Sequence, residues 1–449
     1  MKKLSALALA VGVSLPAWSA TDPTLAQLRQ QIDALRQDYE TRIKALEDKL
    51  AQAQSQSQTV ASTPAPSPEP APEPTVSRQG NNAFNPAIGL VLSGTYANLS
   101  KDPGTWTIPG FAPSGGEVGP GERGFTLGES ELTFSANIDN LAFGALTLAV
   151  TGDNEVEVEE AYIQSTALPA GLTLKGGRFY AGLGYLNEQH THTWDFVDAP
   201  LTHQAFLGGQ FKQEGLQAKW LLPTEQFIEL GMEVGQGGNF PGAHAGQNGL
   251  GALLVSAHTG GDVGLSNSWR AGASWMQTRA KDRTWDLTDT GEAARTFHGN
   301  SRLWVLDGVW KWAPNGNAQS TNFKLQGEYF RRVESGDLTD VADSSNGVYQ
   351  STQSGWYVQG VYQFMPRWCV GLRTEQLDTG SVSFGALADR LSSLDARPRR
   401  NSLMLDWSPS EFHRWRIQVN DDRVRQDGKD TQVFLQYQMN LGAHGAHAF

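Results

Sequence analysis

The chain ends on a segment, residues 433–449, in which apolar and polar residues alternate almost without interruption. One face carries Val433, Leu435, Tyr437, Met439, Leu441 and the last residue, Phe449. The other face is mostly polar, with Gln436, Gln438 and Asn440. Period-two alternation is typical of a β-strand that has apolar surroundings on one side and water on the other. The chain is therefore expected to finish in a half-buried strand, and a sheet built from such strands should repeat this pattern upstream.

The pattern recurs along the chain from Asn85 onward. We identify sixteen strand-like segments, near residues 87–99, 125–138, 143–152, 155–166, 172–185, 211–222, 227–236, 250–259, 267–279, 302–313, 321–334, 355–365, 368–377, 400–408, 413–424 and 431–449. Short connections alternate with mostly long ones, such as 100–124, 186–210, 280–301, 335–354 and 378–399. Short turns opposite long loops are typical of barrels that cross the outer membrane, and an even strand count puts both barrel ends on the same side.

A terminal strand that closes on an aromatic residue resembles the last strand of bacterial outer-membrane β-barrels, where it belongs to the insertion signal. The mean hydropathy of −0.40 agrees with a barrel, because lumen-facing polar residues dilute the hydropathy of its strands. We therefore predict an all-β transmembrane barrel of about sixteen antiparallel strands over residues 85–449. The alternative is a large secreted β-protein such as a propeller or a sandwich.

Three further segments precede the barrel. Residues 1–20 have the basic start, short apolar run and small residues of a secretory signal peptide. Residues 21–54 carry apolar residues in a heptad-like seam, which predicts a periplasmic coiled-coil helix; the alternative is a single helix that packs on the barrel or is partly disordered. Residues 55–84 are a proline-rich linker. By analogy with oligomeric porins we expect a homotrimer in contact with outer-membrane lipid.

Strand parity assigns many charged residues to the lumen. The acidic ones lie on the earlier strands and the basic ones on the later strands: Glu129, Glu131, Glu155, Glu157, Glu159, Glu229, Glu233, Arg270, Lys324, Arg373, Arg400, Arg414 and Arg416. Glu160 falls on the lipid-facing parity and should lie near a rim or a bulge. Opposed acidic and basic walls would create a transverse field across a pore. Alternatively, these charges only solvate a water-filled interior and pair locally.

The connection 186–210 is the candidate constriction loop, and it is rich in possible metal ligands. Its candidate ligands are His190, His192, Asp195, Asp198 and His203. Imidazole and carboxylate groups together suit zinc or another borderline divalent ion, although the spacing is not a known zinc signature. The alternative is a loop held by hydrogen bonds and aromatic packing. His444 and His447 fall on opposite faces of the last strand, so they are not expected to share an ion.

Several longer stretches resemble a proteobacterial family of outer-membrane proteins often labelled zinc-regulated or TonB-dependent receptors. They are residues 124–132, 159–162, 175–179, 187–201, 409–412 and 442–449. The order of signal peptide, coil, linker and barrel is similar to that of trimeric porins with an N-terminal coiled coil. Strands and loops use the whole of 85–449, so no segment remains for the plug of an energy-coupled transporter. The resemblance implies a porin that eases entry of zinc or a zinc complex.

These observations favour an outer-membrane channel for passive diffusion of small hydrophilic solutes, without a bound cofactor. Two alternatives stay open: a substrate-specific receptor for a metal complex, and a structural tether acting through the coil. The net charge of −12 disfavours nucleic acid as a partner. No enzyme is expected, because no Ser-His-Asp grouping on facing rims can be picked out.

Overall fold

The computed structural model describes residues 86–115, 118–150, 155–244, 246–288 and 291–442. The signal peptide, coiled-coil helix and linker predicted over residues 1–84 lie outside these ranges, as does the chain end with His444 and His447. Among the described residues, no helix combines the length and the apolar character needed to cross a membrane. The sequence-based predictions for both chain ends therefore stay predictions.

The described chain consists of antiparallel strands, one short α-helix and several single turns of 3₁₀-helix. The strands are β1 (Ala87–Leu99), β2 (Gly124–Leu127), β3 (Ser130–Asn137), β4 (Ala142–Val150), β5 (Val156–Ser165), β6 (Leu172–Tyr180), β7 (Lys212–Leu221), β8 (Phe227–Gly235), β9 (Ala252–Val263), β10 (Asn267–Leu287), β11 (Ala293–Trp312), β12 (Asn322–Asp340), β13 (Asn346–Met365), β14 (Trp368–Ser383), β15 (Arg399–Ser410), β16 (His413–Arg423) and β17 (Asp430–Gly442). The helix is α1 (Leu201–Leu207), and the 3₁₀ turns are Pro103–Thr105, Pro169–Gly171, Thr191–Thr193, Pro314–Gly316 and Gly385–Leu387.

The sheet closes into a barrel because its first and last strands pair. β1 runs antiparallel to β17 from Gly89 opposite Gly442 to Leu99 opposite Gln432. β2 and β3 both pair with β1, since they are two parts of one barrel strand that is interrupted at residues 128–129. At the interruption the Gly128 N–H donates to the Ser93 carbonyl at 3.0 Å. The predicted barrel of sixteen antiparallel strands is thereby confirmed.

Two of the predicted long loops are wrong. Residues 280–301 and 335–354 mostly continue the strands β10 to β13, and only residues 288–292 and 341–345 lie between them. These strand ends are rich in polar residues on both faces, so the period-two signal that marks the lipid-facing part is lost there. Their inner face instead packs around an aromatic cluster that includes Phe297, Tyr349 and Phe384. Backbone pairing and this cluster replace lipid contact as the stabilising interactions.

Side chains on the two faces of the wall differ in exposure as the alternation predicts. In β15, Leu403 and Leu405 are 51% and 40% exposed, whereas Arg400 and Asp406 are 1% and 4% exposed. The same contrast between an exposed apolar side chain and a buried charged one occurs in β16, where Ile417 is exposed and Arg416 is buried. A water-filled lumen alone would leave inward charges exposed. Their burial shows that protein fills much of the barrel at this level.

The filling segment is the connection between β6 and β7, residues 181–211, which we call the inner loop. Its apolar residues pack inside the barrel against wall residues such as Leu254, Leu303 and Phe330. Glu328 anchors its backbone by accepting hydrogen bonds from the N–H groups of Tyr185 and Leu186, at 2.5 and 3.1 Å. The segment identified from sequence as the candidate constriction therefore lies across the lumen.

Candidate functional site: the inner loop and the lumen wall

One end of the inner loop contacts a group of wall carboxylates through His190. The Nδ1 atom of His190 lies 3.0 Å from Glu131 Oε2 and 3.3 Å from Glu159 Oε2. Its Nε2 atom lies 3.0 Å from Glu160 Oε2. Burial opposes protonation of this imidazole, but the neighbouring carboxylates of Glu131, Glu159 and Glu160 prevail and raise the pKa of His190 well above its usual range. We call these three carboxylates, together with Glu129, the acidic cluster.

A β-bulge explains why two consecutive glutamates of β5 both point inward. Thr147 of β4 lies opposite Glu160 and the next residue, Leu148, lies opposite Val158, so Glu159 has no residue across from it. The extra residue shifts the alternation by one position. Glu159 and Glu160 are consequently both buried on the lumen side, at 1% and 9% exposure. The bulge expected for Glu160 from its parity is confirmed.

Thr191 and His192 extend the contact with the acidic cluster. The Thr191 hydroxyl donates to Glu129 Oε2 at 2.5 Å. The Nδ1 atom of His192 lies 2.7 Å from Glu131 Oε1, and the two imidazole ring centres lie 5.5 Å apart. One carboxylate of the wall thus contacts two histidines of the loop.

The next part of the loop contacts the basic wall through its two aspartates. Asp195 Oδ2 lies 2.7 Å from Lys324 Nζ. Asp198 accepts from Arg373 Nη2 at 2.5 Å, and its other oxygen lies 2.9 Å from Arg400 Nη1. Burial alone would raise the pKa of Asp198, but the guanidiniums of Arg373 and Arg400 lower it to about 2. This end of the loop is held by ion pairs whose members stay charged at neutral pH.

The structure therefore separates the five metal ligands predicted from sequence. His190 and His192 lie together beside Glu131. Asp195 and Asp198 instead form ion pairs on the basic wall. His203 lies on α1, fully buried, with its Nε2 atom 3.4 Å from Glu328. The predicted set does not form one site, because the loop crosses the lumen between the second histidine and the first aspartate.

The remaining lumen residues predicted from sequence fall into three groups. Glu155 and Glu157 are exposed and line a cavity described below. Glu233 is buried and accepts a hydrogen bond from the Gly182 N–H at 2.7 Å. Glu229 lies 3.9 Å from Lys219, and the Arg270 guanidinium lies 5.6 Å from the Tyr185 ring centre. Of these residues, Glu233 and Arg270 contact the start of the inner loop.

Arg414 and Arg416 hold the middle of the inner loop from β16. Arg416 Nη2 donates to the Trp194 carbonyl at 2.7 Å, and Arg414 Nη1 donates to the same oxygen at 3.1 Å. Both arginines also pair with Asp406 of β15. Asp406 and the loop anchor Glu328 were not singled out from sequence, although each lies on the inward parity of its strand and the same alternation rule would have identified them.

Two cavities border the inner loop on the side of β17. One, of about 520 Å³, opens toward the long connections and is lined by Glu122, Glu129, Glu155 and Glu157 among others; we call it the loop-side cavity. The other, of about 320 Å³, reaches the short turn at residues 408–411; we call it the turn-side cavity. His192 and Gln438 line both cavities. The narrowest described passage between the two ends of the lumen is consequently expected at these two side chains.

Comparisons of the sequence with known proteins find one relative and no family. No family model matches the chain, so the sequence-based resemblance to zinc-regulated or TonB-dependent receptors gains no support. An uncharacterized protein of Aquifex aeolicus (strain VF5) is 29% identical over 402 residues, which cover 83% of this chain and 82% of that protein.

Solved structures of outer-membrane proteins share the architecture. The loop L8 deletion mutant of the Vibrio cholerae outer-membrane protein OmpT is 10% identical and has a TM-score of 0.50, covering 80% of this chain and 99% of that one. The outer-membrane channel DcaP of Acinetobacter baumannii is 11% identical, with a TM-score of 0.49 and coverage of 80% and 97%. The likeness to the Vibrio cholerae protein agrees with the barrel fold described above.

Proposed function

We propose that the protein is an outer-membrane channel through which small hydrophilic solutes diffuse passively. The observation that carries the proposal is the pair of cavities that share His192 and Gln438 as lining residues. One cavity opens toward the long connections and the other toward the short turns, so together they outline a route along the barrel. The route runs between the inner loop and the wall formed by β1, β16 and β17.

The outer surface of the barrel supports a place in the membrane. Large apolar side chains on the outward face are exposed on most strands, including Leu306, Leu372 and Ile417. Tryptophans such as Trp304 and Trp407 add aromatic rings to the same surface. Burying this surface in lipid is favourable, whereas exposing it to water would favour aggregation. The homotrimer expected from sequence remains part of the proposal.

The lining of the loop-side cavity favours cations. The residues of the loop-side cavity include Glu122, Glu129, Glu155, Glu157 and Asp198, and no Lys or Arg is among its described lining residues. Arg373 and Arg400 of the basic wall point instead at the inner loop and pair with Asp198 and Glu375. Arg414 lines the turn-side cavity, where Asp195, Asp406 and Glu411 surround it. A cavity with one sign of charge raises the local concentration of counter-ions. The transverse field expected from sequence is thus largely replaced, on this route, by an acidic entrance.

Conductance of the purified protein in a planar bilayer tests the proposal. We expect ohmic single-channel steps that increase in the Gln438→Ala variant, because the shorter side chain widens the passage between the cavities, and decrease in Gln438→Trp. Gln326→Ala is the matched control, since Gln326 bonds to Tyr357 and lines neither cavity. Wild-type protein without conductance steps would refute the channel, and equal effects of the two alanine variants would refute the route.

The same recordings separate the two alternatives left open by the sequence. A substrate-specific receptor should give saturable binding without ohmic steps. A tether should lose its function when residues 21–76 are deleted, whereas the channel should still conduct because the whole route lies in the barrel.

A further inference from the structure

Wall carboxylates beside the start of the inner loop outnumber the fixed positive charges that contact them. Glu129, Glu131, Glu159 and Glu160 lie within reach of His190 and Thr191. Among the described residues, the ion pairs of the acidic cluster involve His190, His192 and one lysine, Lys212, whose Nζ atom lies 3.3 Å from Glu159 Oε1. Carboxylates held this close in a poorly hydrated site repel one another unless cations or protons intervene.

Part of this cluster has the geometry of a metal-binding site. Glu131, His190 and His192 each offer a ligand atom, and these atoms all lie within 4.8 Å of one another. A second group, Glu129, Glu131 and Glu159, meets the same condition and shares Glu131 with the first. Ligand atoms around one tetrahedral zinc ion lie about 3.3 Å apart, because its bonds to nitrogen and oxygen are about 2.0–2.1 Å long. The 3.3 Å between His190 Nδ1 and Glu159 Oε2 equals that value. The two oxygens of Glu131 lie closer to the histidines, at 3.0 Å from His190 and 2.7 Å from His192, so these atoms would move apart by a few tenths of an ångström around an ion.

Two buried atoms provide an independent indication. Glu159 Oε2 and His190 Nδ1 are inaccessible to solvent, and neither makes a hydrogen bond of acceptable geometry in the described structure. Glu159 itself is 1% exposed. Buried polar atoms without hydrogen bonds are costly, and these two atoms lie 3.3 Å from each other, beside Glu131. A cation placed there would satisfy both atoms at once.

We propose that His190, His192, Glu131 and Glu159 form a binding site for a borderline divalent cation such as Zn²⁺ or Co²⁺. Imidazole nitrogen with carboxylate oxygen is the ligand combination such ions prefer, whereas Ca²⁺ and Mg²⁺ prefer oxygen alone. Glu160 contacts the opposite edge of the His190 ring, at Nε2, and orients the imidazole. The ion reaches the site from the loop-side cavity, which His192 and Glu129 line.

The bound ion would join the inner loop to the acidic wall. Both histidine ligands belong to the loop, whereas Glu131 lies on β3 and Glu159 on β5. The site also borders the junction of the two cavities, because His192 lines both of them. Binding does not depend on conduction, so the site can be tested whether or not the protein is a channel.

Isothermal titration calorimetry of the full chain, without an affinity tag and stripped with a chelator, tests the site directly. We expect ZnCl₂ to bind with one equivalent per chain, and Co²⁺ to give the intense visible absorption of a four-coordinate ion. In Glu131→Gln, which keeps the size of the side chain, affinity should fall by at least the roughly 10- to 100-fold that loss of an outer partner costs. The double variant His190→Ala/His192→Ala should no longer bind the one equivalent of zinc per chain.

Control variants distinguish this ligand set from its alternatives. Asp195→Asn should retain full affinity, because Asp195 lies on the basic wall. His298→Ala removes an exposed histidine of β11 and should have no effect. Loss of zinc binding in His444→Ala/His447→Ala, or unchanged binding in Glu131→Gln and in the double histidine variant, would overturn the proposal. Circular dichroism of every variant establishes that the barrel has folded.

Discussion

The two ends of the inner loop contact opposite walls of the barrel with different chemistry. At the basic wall, Asp198 meets two guanidiniums that stay charged at any physiological pH. At the acidic wall, the partners are mainly two histidines, whose imidazole nitrogens can also bind a cation. The comparison suggests one permanent attachment and one adjustable attachment. The permanent attachment therefore holds the loop within the lumen, whereas a cation bound at the proposed site would change its contact with the acidic wall.

The largest effect is expected from removing the permanent attachment. Asp198→Ala leaves Arg373 and Arg400, each 1% exposed at its side chain, with one carboxylate, Glu375, in place of the two that they share. Removing one member of a buried ion pair costs about 3–5 kcal/mol, because the remaining charge stays desolvated. We expect the free energy of unfolding, measured by urea denaturation in detergent, to fall by about that amount.

The matched control is a solvent-exposed ion pair of similar geometry, Asp343 with Arg390. Asp343 lies 2.6 Å from Arg390, and the side chains are 47% and 54% exposed. Asp343→Ala should leave the unfolding curve unchanged, since exposed ion pairs contribute little. Equal destabilisation by the two variants would mean that Asp198 is not a structural anchor of the loop.

The stabilisation that the Asp198 ion pairs give to the permanent attachment should be lost in acid and not near neutral pH. The pKa of Asp198 is about 2 in the folded protein, against about 3.9 for an unperturbed aspartate. The stabilisation is therefore fully present above about pH 4 and is lost as the pH falls through about 2. A difference of two pKa units between the folded and unfolded protein corresponds to about 2–3 kcal/mol in the free energy of unfolding.

A difference measurement isolates this contribution from other acid-sensitive groups. The gap in unfolding free energy between wild type and Asp198→Asn should be constant from pH 7 to pH 5 and should shrink between pH 4 and pH 2. A gap that already changes between pH 7 and pH 5 would contradict the assignment, because the Asp198 carboxyl, whose pKa is lowered to about 2, does not titrate in that range.

The sequence predicted the barrel well because lipid imposes a strict rule on its wall. Each strand must turn apolar side chains outward, so alternation reveals strand number, faces and inward charges such as Arg400 and Arg416. The rule fails where lipid is absent, and residues 280–301 and 335–354 were accordingly mistaken for loops.

The site was predicted less completely, since it depends on a loop that no periodicity constrains. Proximity in sequence placed His190, His192, Asp195, Asp198 and His203 in one ligand set, but the loop carries them to three separate surroundings. The partners of the histidines are distant in sequence: Glu131 and Glu159 become neighbours only after β3, β4 and β5 pair and a bulge turns two glutamates inward. Strand parity correctly assigned Glu131 and Glu159 to the lumen, yet it contains no information about which loop residue meets them.

The smallest expected effect concerns the open side of the acidic wall, which the loop leaves accessible. Glu155 and Glu157 line the loop-side cavity, and both are exposed. Glu155→Gln/Glu157→Gln should lower the preference of the channel for cations over anions, measured as the reversal potential under a salt gradient. Glu225→Gln, an exposed residue of the short turn after β7, is the control and should leave the reversal potential unchanged.

Salt concentration sharpens this last test. Exposed charges act over a Debye length of about 30 Å at 0.01 M salt but only about 3 Å at 1 M. The difference between wild type and the double variant should therefore be clear in dilute salt and should vanish near 1 M. A difference that persists at 1 M would place these glutamates at the narrowest part of the route, in direct contact with the permeating ion, and would transfer the role proposed for the junction at His192 and Gln438 to the entrance.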